Sequence, residues 1–334
     1  MHKRKIISII TLVFAVVFSL CGCSGVDDTN VDDQIEYREN TGEFSVHYLD
    51  VGQGDAIFIH FPDGKNMMID SGDGSEKSLQ YISGFISEFG VDKIDYLMLT
   101  HPMQDHQGGM LTLLTDYTVE NMYIPYVIKP ENFPTFNSIV NLANQKQVNT
   151  IISQSYKNFK GEDYAVGILT PYPFNYPNVE SSYKGINSAF PSDNDVNNVS
   201  PMVYVTYKSI RFLFTGDAGV SQEKILVDNH LAFKQMFNSL GIELNLINID
   251  FLKVSRHGSA NANSYDFLTF IKPKNAVISV GGANNYGLPA TEMLSNLADA
   301  SPAHNLYRTD VLGTISVYVS QSAEVRVQTD YKEK

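Results

Sequence analysis

Residues 99–109, LTHPMQDHQGG, bring together three side chains that can bind a metal ion. His101, Asp105 and His106 lie within six positions, directly after an apolar run that predicts a buried strand. Imidazole and carboxylate groups are ligands for zinc and manganese. A strand end followed by a glycine-closed loop can hold such ligands rigidly. The pattern predicts a metal site, where a bound ion would lower the pKa of water.

Two similar halves are predicted to position this segment. Apolar and alternating patterns predict strands over 44–50, 56–61, 66–70 and 96–99, with a helix over 76–89. The second half repeats this order, with strands over 202–207, 211–214, 251–254, 276–280, 314–319 and 324–328 and helices from about Ser221 and through Phe267. This order predicts an α/β fold, an αββα four-layer sandwich of two sheets with outer helices.

Structural roles are the alternative for several of these polar residues. His101 would then be a hydrogen-bonded loop residue, and Asp105 would cap the helix that follows. Asp50 and Asp70 are expected to fix loops by accepting backbone N–H bonds, and Asp310 is expected to be structural.

The first 22 residues have the pattern of a secretory signal peptide. A basic tip precedes the apolar run Ile6–Leu20, which is too short to span a bilayer comfortably. The sequence Leu-Cys-Gly before Cys23 resembles the bacterial lipobox, which implies lipidation of Cys23 and an extracytoplasmic protein anchored to the cell membrane. An uncleaved anchor or an unlipidated secreted protein is the alternative.

Composition limits what the rest of the chain can do. Both cysteines lie in the signal region, so a disulfide framework or a thiolate metal site is excluded from the predicted domain. The formal net charge is −13, and the signal region carries no acidic residue. Such a surface repels nucleic acid and anionic lipid unless a basic or metal-bearing patch overrides it.

Three segments follow from these patterns. Residues 1–22 form the signal peptide, 23–43 an acidic flexible tether, and 44–330 one large domain. Residues 171–200, rich in Pro, Asn, Tyr and Ser, are predicted to form a long surface loop of the kind that often serves as a lid or substrate wall.

Residues 99–109 resemble the His-x-His-x-Asp-His signature of the metallo-β-lactamase fold, with Met103 in place of the second histidine. Further segments resemble, in the same order, the branch typified by the C-terminal domain of the DNA-uptake protein ComEC. They are YLDVGQGDAIFI, MIDSGDG, FTGDAG, FLKVSRHGS and AVISVGGANNYGLP with YRTDVLGTISV. Together they span most of the predicted domain.

The resemblance implies a set of metal ligands, which are His101, Asp105, His106, Asp217 and His257. It also implies catalytic roles for Asp105 and for His101, which would ligate the metal or orient water. Arg256 replaces the first histidine of a His-His-Gly-Ser segment, and Leu288 stands where a further histidine is common.

The three replaced positions weaken the implied metal site. A thioether is a soft ligand that does not replace imidazole on zinc or manganese, and leucine offers no donor. The permanent charge of Arg256 repels a nearby dication unless the guanidinium faces away or pairs with a carboxylate. We therefore expect one divalent ion, zinc or manganese, or none.

Two functions remain open from the sequence. The first is a lipid-anchored metallo-hydrolase that cleaves a phosphodiester, either DNA or an envelope polymer such as teichoic acid. The second is a catalytically inactive surface protein in which Arg256 binds an anionic group in the same cleft. The sequence predicts no protein partner for either.

Overall fold

The computed structural model describes residues 43–127, 130–171 and 196–330. The predicted signal peptide, Cys23, nearly all of the predicted tether and most of residues 171–200 lie outside these ranges. The described residues belong to one unit, Glu36–Lys334. Among the helices in these ranges, none combines the length and apolar character needed to cross a membrane.

The strands of the described residues form two sheets. They are β1 (Phe44–Tyr48), β2 (Ile57–His60), β3 (Asn66–Ile69), β4 (Lys93–Met98), β5 (Thr118–Ile124), β6 (Asn149–Ile152), β7 (Asn158–Lys160), β8 (Tyr164–Thr170), β9 (Met202–Tyr207), β10 (Ile210–Phe214), β11 (Phe251–Lys253), β12 (Asn275–Ile278), β13 (Asn305–Arg308), β14 (Ile315–Val319) and β15 (Val325–Thr329). One sheet has the order β15-β14-β1-β2-β3-β4-β5-β6, and the other has the order β13-β12-β11-β10-β9-β8-β7.

Helices cover the outer faces of the two sheets. They are α1 (Glu76–Ser87), α2 (Gln104–Gln107), α3 (Met110–Asp116), α4 (Pro134–Gln145), α5 (Val220–Asp228), α6 (His230–Ser239), α7 (Tyr265–Ile271), α8 (Thr291–Ala300) and α9 (Thr309–Leu312). One apolar layer joins α1, α3 and α4 to the first sheet, and another joins α5 to α8 to the second. A third layer lies between the sheets. The predicted αββα four-layer sandwich is confirmed.

Parallel strands run side by side in both sheets. The predicted meander β1-β2-β3 is antiparallel, and β3, β4, β5 and β6 are then parallel. In the second sheet β10, β11, β12 and β13 are parallel. Loops that follow parallel strands leave the same edge of a sheet, which is where ligands bind in open α/β sheets.

The sequence patterns missed the elements from β5 to β8. The strands β6 and β7 are short and only partly buried, so they lack a clear apolar alternation. The strand β8 carries Gly167 at its centre, which weakens a strand pattern. A side chain at Gly167 would collide with the ring of Phe237, so a contact distant in sequence requires this glycine.

We expect Phe212→Ala to lower the free energy of unfolding by about 3–5 kcal/mol, because it would leave a cavity between the sheets. Phe212 is fully buried, and its ring centroid lies 5.0 Å from that of Phe251 and 5.5 Å from that of Phe44. Urea unfolding measures the change. Leu231→Ala, at a position 64% exposed on α6, is the control and should change it by less than about 0.5 kcal/mol. If the two variants lowered the free energy of unfolding equally, Phe212 would not be a core residue between the sheets.

Candidate metal centre

The candidate centre lies where strands of both sheets end. β4 leads to His101 and then to α2, which carries Asp105 and His106. β10 leads to Asp217, and β11 leads to a 3-10 turn, Ser255–Gly258, that contains His257. The fold thus brings residues more than 150 positions apart into contact.

Helix α2 is fixed against the loop that follows β3. A side chain at Gly108 would collide with the backbone of Asp73, and one at Gly109 would place its Cβ 2.7 Å from the carbonyl oxygen of Ser71. This close approach allows the Ser71 amide to donate a 2.8 Å hydrogen bond to the carbonyl oxygen of His106. The two glycines of the signature therefore position His106.

The ring of His106 is oriented by Asp70. Its Nδ1–H donates a 2.8 Å hydrogen bond to the Asp70 carboxylate, which also accepts the backbone N–H of Thr100 at 2.7 Å. This bond assigns the proton to Nδ1 and turns Nε2 toward the cluster, as outer carboxylates do for histidines that bind metals. Asp70 thus fixes a loop, as the sequence predicts, and also orients a ring.

Four donor atoms face one another at the centre. His257 Nε2 lies 3.1 Å from Asp105 Oδ2 and 3.8 Å from Asp217 Oδ1. His106 Nε2 lies 3.3 Å from Asp217 Oδ1 and 3.9 Å from Asp105 Oδ2. Tetrahedral ligands at typical zinc distances lie about 3.3 Å apart. Neighbouring atoms of the set are close to this spacing; the ligand atoms of Asp105, His106 and His257 lie within 4.8 Å of one another, and Asp217 forms a group of the same size with His106 and Asp55.

Two of these atoms are buried without a hydrogen-bond partner. Among the residues that the structure describes, neither His106 Nε2 nor Asp217 Oδ1 forms a hydrogen bond. Buried polar atoms are normally satisfied, and an ion is one way to satisfy them. The donor set and its unsatisfied atoms therefore fit a divalent metal ion.

The turn that carries His257 has a strained backbone. Arg256 and His257 have φ angles of 50° and 52°, in the left-handed region that non-glycine residues rarely adopt. The Arg256 amide donates to the Gly216 carbonyl at 3.1 Å, and His257 Nδ1 donates to the Ser279 carbonyl at 2.9 Å. These bonds orient the His257 ring so that its Nε2 faces the donor cluster.

A buried carboxylate supports the same turn from behind. Glu223 of α5 accepts the backbone N–H groups of Asn263 and Ser264. The side chain of Asn263 in turn accepts the Ser255 amide and donates to the Ser255 carbonyl, each at 2.9 Å. The strained turn is thus held by a hydrogen-bonded chain that begins in α5.

His101 lies beside the four donor atoms. Its ring meets that of His106 edge-on, with centroids 5.3 Å apart, and its Nδ1 lies 3.4 Å from the Ser200 hydroxyl. His101 belongs to neither of the donor groups found among the described residues, Asp105 with His106 and His257, and Asp55 with His106 and Asp217. Its role as a ligand stays a prediction.

The capping alternative for Asp105 is wrong. Met103 occupies the N-cap position of α2, and Asp105 lies in the first turn with its carboxylate against His257. The expected structural role of Asp310 is observed, since this carboxylate pairs with Arg308.

An open cleft of about 350 Å³ gives access to the centre. The three residues that replace expected histidines, Met103, Arg256 and Leu288, all line it. Amide and aromatic groups from Gln53 and Tyr286 also contribute to its walls. Asp105, Asp217 and His257 line the same cavity as the three replaced positions.

Asp55 and Lys253 were missed as site residues. Both are almost fully buried, and the Lys253 ammonium contacts the Asp55 carboxylate. Each stands beside or within a run of buried apolar residues, where a charged side chain is unusual. That placement is the signal that could have identified them.

The charges of the centre shift the pKa values of its members. Burial alone would lower the pKa of His106, but three nearby carboxylates raise it well above its usual value. Burial also opposes protonation of His257, but Asp55, Asp105 and Asp217 raise its pKa to about 9. Burial lowers the pKa of His101 to about 4, so this ring is neutral at pH 7.

The carboxylates respond in the opposite direction. Burial would raise the pKa of Asp105 and of Asp217, but the imidazoles of His106 and His257 lower both below the usual aspartate value. Without a metal ion, protons on the imidazoles balance the carboxylates. A bound ion would displace those protons.

We expect the melting temperature of the metal-free protein to fall as the pH rises from about 6.5 to about 9. The unfolded imidazole has a pKa near about 6.5, and the folded pKa of His257 is raised to about 9. The stabilisation that the His257 proton gives to the folded protein is therefore complete below about pH 6.5. It is lost as the pH rises above about 9.

Thermal unfolding with and without zinc measures this effect. Zinc should reduce the pH dependence, because the ion takes the place of the proton. His257→Gln should reduce it as well, whereas His304→Gln, at a ring that contacts the Ser301 carbonyl, should retain it. A melting temperature that rises over this pH interval would contradict the charge balance.

Comparison with protein families gives one match that covers most of the chain. The model of the family described as "Metallo-beta-lactamase superfamily" matches residues 49–282. This range contains all four facing donors as well as Asp55, Asp70 and Lys253.

Two curated proteins are similar to this chain. "ComE operon protein 3" of Bacillus subtilis (strain 168) is 25% identical over 292 residues, which cover 82% of this chain and 33% of that protein. "Recombination protein 2" of Haemophilus influenzae is 26% identical over 263 residues, which cover 76% of this chain and 26% of that protein. The chain spans a third or less of the length of these relatives.

Solved structures similar to this chain include CmlA, a diiron β-hydroxylase from Streptomyces venezuelae. Its TM-score is 0.47 at 11% identity, and the match covers 86% of this chain and 54% of that chain. Zn(2+)-bound PqqB from Methylobacterium extorquens gives a TM-score of 0.46 at 8% identity, covering 77% of this chain and 85% of that chain.

Proposed function

Because this chain belongs to the metallo-beta-lactamase superfamily, we propose that it is a hydrolase that uses one divalent ion, zinc or manganese. Asp105, His106, Asp217 and His257 hold that ion. The observation that carries the proposal is the arrangement of their four donor atoms, with neighbouring distances of 3.1–3.9 Å and two atoms buried without a partner.

The protein groups around the ion have distinct tasks. A divalent ion in this place supplies Lewis acidity, which lowers the pKa of water and polarises a phosphoryl oxygen. His101, neutral at pH 7, accepts a hydrogen bond from water and so orients it. Asp105 and Asp217 hold the negative charge that retains the ion. The guanidinium of Arg256 binds the phosphoryl group through charge-assisted hydrogen bonds.

The proposed substrate is a phosphodiester, either DNA or a phosphate-containing envelope polymer. The permanent cation of Arg256 lines the cleft and suits an anionic group. The name of "Recombination protein 2" favours a nucleic acid. The chain covers only 26% of that relative, so the substrate of this chain is a separate proposal.

The proposed location is outside the cytoplasm, with a lipid on Cys23 as the anchor. This follows from the basic tip, the short apolar run and the Leu-Cys-Gly-Cys sequence. Mass spectrometry of the N-terminal peptide tests the anchor, and an unmodified Cys23 would overturn it.

We expect the purified protein, dialysed against zinc or manganese, to retain about one ion per chain. Asp105→Ala should weaken its retention by more than about 100-fold, beyond the usual effect of an outer residue. Native mass spectrometry counts the ions. Asp299→Ala is the control, because Asp299 is an exposed carboxylate on α8. A wild-type protein that retains no ion would overturn the proposed hydrolase.

We expect Arg256→Met to raise the KM for bis(p-nitrophenyl) phosphate by about ten- to a hundredfold, because hydrogen bonds to charged groups contribute about 1.5–3 kcal/mol. The value of kcat should change less, and Arg256→Lys should have an intermediate KM because it retains the charge. Steady-state kinetics separates the two constants. An unchanged KM in Arg256→Met would show that the guanidinium does not bind substrate.

An anion-binding protein without catalysis is the second candidate. It is favoured by the placement of Met103 and Leu288 in the cleft, where they offer no ligand to zinc or manganese. This candidate predicts that no ion is retained and that phosphate binding is lost in Arg256→Met. The ion count therefore separates the two functions.

A further inference from the structure

A buried ion pair lies behind the candidate metal centre and has no part in the proposed reaction. The Lys253 ammonium contacts the Asp55 carboxylate, and their side chains are 0% and 1% exposed. The same ammonium lies 3.4 Å from the carbonyl oxygen of Gly216, the residue before Asp217. The pair thus connects the loop between β1 and β2 to the ends of β10 and β11.

Asp55 lies beside the two imidazoles, near their Nδ1 atoms. Asp55 Oδ1 lies 3.4 Å from His257 Nδ1, and Asp55 Oδ2 lies 3.8 Å from His106 Nδ1. The Nε2 atoms of both rings point toward Asp105 and Asp217 instead. The charge of Asp55 therefore acts on the centre through both rings.

Asp55 also offers an oxygen to a cation. Its Oδ1 is buried without a hydrogen-bond partner among the described residues. Asp55 forms a second donor group with His106 and Asp217, whose ligand atoms lie within 4.8 Å of one another. In the structure, the cation that Asp55 holds is the Lys253 ammonium.

The charges around the centre leave room for one divalent ion. The four carboxylates are Asp55, Asp70, Asp105 and Asp217. Lys253 cancels one of their negative charges and a divalent ion cancels two, so one negative charge remains. A second divalent ion would leave net positive charge in a largely buried cluster, which is costly.

We propose that Lys253 is an internal cation that sets the charge of this centre, so that the centre binds one divalent ion and not two. The inference rests on the proposed metal site and adds the residue that limits its capacity.

A charge series separates this role from simple packing. Asp55→Asn adds one positive charge and should weaken Mn²⁺ binding by at least about tenfold, whereas Lys253→Met should strengthen it or admit a second ion. The double variant keeps the net charge and should bind one Mn²⁺ within about threefold of the wild-type affinity. A pair that only positions the rings would weaken binding in all three variants, by about 10- to 100-fold.

The test uses Mn²⁺ titration followed by electron paramagnetic resonance, with circular dichroism to verify folding. Asp250→Asn is the matched control, because Asp250 pairs with Arg211 at 3.1 Å outside the centre. It should leave Mn²⁺ affinity unchanged. Should a single variant fail to fold, the double variant still decides, because replacing both charges leaves no unpaired ion buried.

The outcomes distinguish this inference from the proposed function. A wild-type protein that binds no Mn²⁺ overturns both. Two ions per wild-type chain, or a double variant weakened by tenfold or more, overturns the role of Lys253 and leaves the metal centre standing. One ion in the wild type and near wild-type affinity in the double variant supports it.

Discussion

Repulsion among four carboxylates is the constraint on which the functional end of this protein depends. Asp55, Asp70, Asp105 and Asp217 come from four different segments, and the fold places them around two imidazoles. Such a cluster is stable only if positive charge enters with it. The Lys253 ammonium contacts Asp55, and the nearby carboxylates raise the pKa values of His106 and His257, which favours protons on both imidazoles.

The scaffold meets this constraint by holding strained loops with hydrogen bonds. Asp70, Arg256 and His257 all have φ angles near 50–60°, and each lies directly beside the donor cluster or within it. Rare backbone conformations persist only where the surroundings determine them. The Asp70 carboxylate is fixed by Thr100 and His106, and the turn with His257 is fixed through Asn263 and Glu223. The apolar layer between the sheets fixes the relative positions of the strands from which these loops begin.

The cleft is lined by two chemically different kinds of side chain. Carboxylate and imidazole groups contribute to it, and Met103, Arg256 and Leu288 bring a thioether, a guanidinium and an aliphatic group to the same cavity. A guanidinium binds anionic oxygen atoms through paired, directional hydrogen bonds, which is why Arg256 is the residue proposed to orient an anionic substrate.

The sequence by itself determined the layer architecture and the first meander, and it identified Asp105, His106, Asp217 and His257, whose role as metal ligands stays a prediction. Apolar periodicity reports which face of an element is buried, and the order of the motifs locates the loops. It did not determine β6 and β7, whose short, half-buried runs carry little pattern, or the need for Gly167 beneath Phe237. Only the tertiary structure placed His101 outside the donor groups and paired Lys253 with Asp55 across 198 positions. The physical reason is that a donor set and a buried ion pair are defined by distances between side chains, and those distances exist only after the two sheets have packed.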